Sequence, residues 1–137
     1  MDAQIKPLYE AAAKVRAHAH VPYSHFRVGV AILAEDGKIY AGANVENAAY
    51  PVGACAEASA ISAMASNGAR RIKTIVVIGT GAEPVTPCGG CRQRIREFAG
   101  PETRIVCFGS ESEKSSTYTM DQLLPDSFGP ENLGAAR

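Results

Sequence analysis

Two short apolar runs, IKTIVVIGT (residues 72–80) and TRIVCFG (103–109), constrain the fold most strongly. They are too short and too rich in β-branched residues for helices, and too uniformly apolar for strands with one wet face. They therefore read as strands at the centre of a sheet, covered on both sides. Between them lies CGGCRQRIREFAG (88–100), a helix that should end at Gly100. Upstream, FRVGVAIL (26–33) alternates Phe26, Val28, Val30 and Ile32 on one face, and EDGK leads into a second strand over Lys38 to Val45. That pair forms a hairpin.

IKPLYEAAAKVRAHA (5–19) spaces Ile5, Leu8, Ala12, Val15 and Ala19 at helical intervals, with Pro22 marking the end. A further helix is expected from Cys55 to Ser66, stopped by Asn67-Gly68. A strand or turn near Lys114 to Tyr118 and a short helix MDQLL complete the order. Helix, strand, strand, helix, strand, helix, strand implies α/β architecture, with helices packed on a mixed sheet. No linker or repeat divides the chain, and 137 residues suit one domain over 1–137.

Net charge is zero and the basic residues are scattered, so no stripe is available to displace counterions from a nucleic acid. No apolar stretch approaches the roughly 18 residues of a membrane span. The N-terminal segment lacks the basic-then-apolar layout of a secretory signal, so a cytoplasmic location is expected, where thiols stay reduced. The four cysteines then read as metal ligands, nucleophiles or core fillers rather than disulfides.

Cys88 and Cys91 stand three apart at a helix start, so both sulfurs can face one point, and the free N–H groups there favour thiolate. Such a pair suits either a metal or disulfide exchange. Cys55 opens another helix, and three soft ligands without a fourth match a catalytic zinc whose last position holds water. Cys107, between Val106 and Phe108, reads as a small core hydrophobe. Glu57 is either a solvated helix-N-terminal carboxylate or the proton acceptor for a metal-activated water. Spacing leaves both open. For the second, Cys55 must sit at the extreme start of its helix, so that Glu57 can reach back past the end.

CAE at Cys55–Glu57 followed by PCGGC at Pro87–Cys91 fits the ligand-x-Glu and P-C-x-x-C elements of zinc deaminases. With PYSHFRVGVAIL, GANVENAAY, CRQ, LLP and FGPENL in order, the chain resembles the small homotetrameric cytidine deaminases over nearly its full length. The resemblance implies a three-layer α/β/α sandwich around a mixed sheet of about five strands. It implies one Zn²⁺ per subunit on Cys55, Cys88 and Cys91, with Glu57 as proton shuttle. The implied reaction is hydrolytic deamination of free cytidine and 2′-deoxycytidine at C4.

Asn44 and Glu46 would hydrogen-bond the ribose 3′-hydroxyl, although both also suit turn chemistry after a strand. Phe26 would pack on the nucleoside, or simply be buried by its alternation with Val28. The Ala56 N–H and the carbonyl near Thr86 would meet the pyrimidine edge. Tyr50 and Phe128 would close the pocket from neighbouring subunits of a homotetramer with shared active sites, unless Phe128 only anchors the C-terminal segment. A sister deaminase of another aminated nucleoside, such as blasticidin S, is the alternative, and N-V-E-N favours an ordinary ribose.

One departure stands out. Relatives with three cysteine ligands commonly carry arginine after the C-A-E glutamate, and here Ala58 stands there. Compensation for three thiolates must then come from the two helix N-termini, or from Arg92 or Gln93. Pro51 and Val52 also differ from the commoner loop and bear on the shape of the pocket near the base.

Overall fold

The computed structural model describes residues 1–135. Five strands form one sheet: β1 (Gly29–Ala34), β2 (Ile39–Ala43), β3 (Ile72–Gly79), β4 (Ala99–Gly109) and β5 (Ser115–Thr119). Their spatial order is β2-β1-β3-β4-β5, parallel only between β3 and β4. The expected mixed sheet is present, and the apolar run of β3 lies at its centre.

Period-two alternation sends neighbouring residues of each strand to opposite faces. Ala31, Val76, Ile78, Val106 and Phe108 pack under α1 (Ile5–Arg16) through Ile5, Leu8 and Ala12. Val30, Ile32, Ile75, Val77, Ile105 and Cys107 face the other helices. These are α2 (Ala56–Ser66), α3 (Gly89–Phe98) and the short α4 (Met120–Leu123), which contribute Ala60, Met64, Ile95 and Leu123 among others. Helix, sheet, helix is the three-layer sandwich. A fully buried leucine such as Leu8 contributes about 2 kcal/mol of apolar transfer.

Local signals act where expected. Gly37 takes φ 79° in the hairpin turn, and Gly68 takes φ 93° after the Asn67 C-cap of α2. The first helix stops at Arg16, short of Pro22, because the chain turns there to bring His20 beside Val45 in an isolated bridge. β4 starts at Ala99, four residues before the apolar run, because α3 passes directly into it.

The topology also places the site. α2 leads into β3 antiparallel to it, so its N-terminus lies at the C-terminal end of β3. α3 begins after that same end, and the two helices pack side by side. Two helix N-termini thus converge where α/β sheets commonly bind ligands.

Candidate metal centre and nucleoside pocket

Cys55 is the N-cap of α2 and Cys88 the N-cap of α3, both with extended backbone. Cys91 lies in the first turn of α3, buried. The three sulfurs all lie within 4.8 Å of one another. Sulfurs of an ideal tetrahedral zinc, with Zn–S about 2.3 Å, stand about 3.8 Å apart, so this donor set fits the ion with small adjustment.

The thiols differ in their readiness to ionise. Cys88 is pulled below the ordinary cysteine value, chiefly by the Cys91 backbone N–H. Burial pushes Cys55 and Cys91 above it. A divalent cation among the three would supply the charge that lets all of them be thiolates together. Cys107 stays outside the cluster; it is fully buried in the core, and burial raises its thiol to about 12.

Glu57 occupies the first turn of α2 and is only 5% exposed. Burial raises its carboxyl above the ordinary value, while contact with the Cys91 thiol acts in the opposite direction. The solvated-glutamate reading therefore fails. With Cys55 at the N-cap rather than mid-helix, the carboxyl lies beside the cysteine cluster. Ala56 opens α2, where backbone N–H groups have no partner within the helix.

A cavity of about 500 Å³ borders Cys55 and is lined by Tyr23, Ser24, Asn44, Glu46, Tyr50 and Ala54, among others. A short antiparallel bridge holds its wall together: Val45 N–H donates to the Ala54 carbonyl at 2.9 Å, and Ala54 N–H donates to the Val45 carbonyl at 2.8 Å. That bridge carries Asn44 and Glu46 to the flank of Cys55. Glu46 Oε1 accepts the N–H groups of Tyr23 at 3.1 Å and Ser24 at 3.2 Å. With the Ser24 hydroxyl, these hold its carboxyl below the usual range. Asn44 Nδ2 donates to the Phe26 carbonyl at 2.8 Å.

Tyr50 lines the cavity of its own chain from a 3-10 turn, Tyr50–Val52, its ring 5.8 Å from that of Tyr23. Phe26 precedes β1 and is 40% exposed, so the core-burial alternative for it fails. Phe128 is exposed, and its carbonyl accepts from Gln93 Nε2 at 2.9 Å. Neither Phe26 nor Phe128 is among the residues lining the cavity.

Arg92 and Gln93 are both engaged away from the cysteine sulfurs. Arg92 donates to the carbonyls of Pro87 and Leu123 and to Thr86 Oγ1, and Gln93 is held by Phe128. Arg94 instead donates from NH1 to Cys91 Sγ at 3.5 Å. Its spacing of three from Cys91 on a helix was the available signal.

The family model for the cytidine and deoxycytidylate deaminase zinc-binding region matches residues 2–108. The chain belongs to this deaminase family. A cytidine deaminase of Sporosarcina psychrophila is 41% identical over 132 residues, with 96% of each chain covered. A probable cytidine deaminase of Dictyostelium discoideum is 40% identical, covering 95% of this chain and 87% of the relative. The crystal structure of cytidine deaminase from Burkholderia pseudomallei superposes with a TM-score of 0.85 at 37% identity, covering 93% of this chain and 100% of that one.

Proposed function

We propose that this family member hydrolyses free cytidine and 2′-deoxycytidine to uridine and 2′-deoxyuridine with release of ammonia. One observation carries the reading: three cysteine sulfurs within 4.8 Å of one another beside the buried Glu57. The relatives named cytidine deaminase support the substrate.

Cys55, Cys88 and Cys91 hold one zinc per subunit, which when bound supplies Lewis-acid activation of a water molecule near neutral pH. Glu57 does the proton work. It takes a proton from the attacking water and gives it to N3 of the pyrimidine as the C4–O bond forms. It then carries the hydroxyl proton at C4 to the amino group, the C4–N bond breaks, and ammonia leaves a uracil ring. The raised affinity of Glu57 for a proton, set by burial, suits a group that both accepts and returns one.

The Ala56 N–H and the carbonyl near Thr86 meet the edge of the base. Asn44 retains a second amide N–H after donating to Phe26, and Glu46 has lone pairs beyond those used by Tyr23 and Ser24. Donor and acceptor together fit a ribose 3′-hydroxyl. Tyr50 closes the pocket of its own chain, while exposed Phe26 and Phe128, which do not line it there, meet the nucleoside in a homotetramer with shared sites. Three working thiolates require a reducing compartment, which supports the cytoplasm. Among the described residues no helix is long and apolar enough to cross a membrane.

The test is ammonia release from cytidine, deoxycytidine and blasticidin S, measured with zinc stoichiometry. Turnover of the first two and not the third is expected. Turnover of blasticidin S alone would replace the substrate assignment.

A further inference from the structure

This inference rests on the zinc reading of the same cluster and concerns what balances its charge. Three thiolates around a divalent cation leave one negative charge in excess, which makes the metal a poorer Lewis acid. The position after Glu57, where an arginine could offset this, is Ala58.

Arg94 reaches the cluster from the other helix. It lies one turn along α3 from Cys91, and long side chains on a helix lean toward its N-terminus. Its NH1 stands 3.5 Å from Cys91 Sγ. Gly90, four residues before Arg94, lies under that path: a Cβ there would stand 3.3 Å from the same NH1, so the guanidinium would have to give by a few tenths of an ångström. The other arginines of the helix are turned elsewhere, Arg92 to Pro87, Thr86 and Leu123, and Arg96 to Ser127 and Glu131.

We propose that Arg94 is a positioning residue that withdraws electron density from the Cys91 sulfur, filling from α3 the role left vacant at Ala58. It touches no reacting atom; it acts through the ligand. Because Arg94 is exposed and Gly90 already leaves space, replacing it leaves the core undisturbed.

The test compares wild type, Arg94→Gln and Arg94→Lys, loaded either with Zn²⁺ for kinetics or with Co²⁺ for spectroscopy. Replacing the charged guanidinium by a shorter, neutral amide raises the energy of the sulfur electrons, so the thiolate-to-cobalt charge-transfer band of Arg94→Gln should move to longer wavelength. Its kcat on cytidine should fall by about tenfold or more with KM little changed. Arg94→Lys, which keeps a cation, should lie between it and wild type in both readouts. An unshifted band in Arg94→Gln, whatever its kcat, overturns the proposal while leaving the metal centre intact. A wild-type protein that takes up cobalt with no thiolate charge-transfer band overturns the metal centre itself, and this proposal with it.

Discussion

Asn44 and Val28 are joined twice: the Asn44 N–H donates to the Val28 carbonyl at 3.3 Å, and the Val28 N–H donates to Asn44 Oδ1 at 2.9 Å. The side chain thus continues the β1–β2 ladder beyond its last backbone pair while it flanks the pocket. Asn44→Ala leaves the Val28 N–H and the Phe26 carbonyl without these partners. It should lower stability by about 1–2 kcal/mol in urea unfolding as well as raise KM. Asn44→Asp keeps the acceptor for Val28 but sets a carboxylate oxygen against the Phe26 carbonyl, and should be no better. A variant with raised KM and unchanged stability would show that the ladder role is unimportant.

Glu46 should act as a carboxylate throughout the working pH range. Its folded value is depressed by Ser24 and Tyr23, so its ionised contribution is complete above the ordinary glutamate value. That contribution is lost only as pH falls through the still lower folded value. Glu46→Gln should raise KM for cytidine more than it lowers kcat, because the role proposed for the group is to hold the sugar and not the reacting atoms. A fall confined to kcat would argue against the ribose assignment.

Gly42 sets the seat of α2. A Cβ there would lie 2.7 Å from Ser59 Cβ and closer still to the Ala60 nitrogen. Gly42→Ala must push the helix away, and with it Cys55 and Glu57. Reduced zinc per chain and a lowered melting temperature are expected together. A fully zinc-loaded variant of normal stability would mean that the helix shifts without disturbing its N-terminus.

Cys107 should be chemically silent in the folded protein. Its folded thiol value, about 12, lies above the ordinary value of roughly 8.5 for an unfolded cysteine. Between those values the folded chain holds a proton that the unfolded chain has released, so stability falls as pH rises through that window. Below it, alkylation of native protein should spare Cys107 and label it only after unfolding, as peptide mapping would reveal. Early labelling of Cys107 would contradict its place in the core.

Much of this arrangement was legible in the chain. β3 was readable because a strand covered on both faces needs apolar residues nearly throughout, and the hairpin because EDGK supplies a glycine able to take positive φ. Cys55, Glu57, Cys88 and Cys91 were readable because chemistry ties them to helix starts. The exposure of Phe26 was left open: alternation carries on past the point where backbone pairing stops, and a pattern alone does not reveal the end of a ladder. Arg94 was missed for another reason. The residues adjacent to the ligands in sequence, Arg92 and Gln93, project round the helix to Pro87, Leu123 and Phe128, and only the three-residue step returns to the sulfur.

The proton-moving role of Glu57 is the heart of the proposed reaction. Its most direct test is Glu57→Gln, measured for zinc per chain and for ammonia release from cytidine. Full zinc content, a native fold and turnover reduced by about 10²–10⁴-fold are expected. Turnover equal to that of the unaltered protein, with zinc in place, would contradict that role.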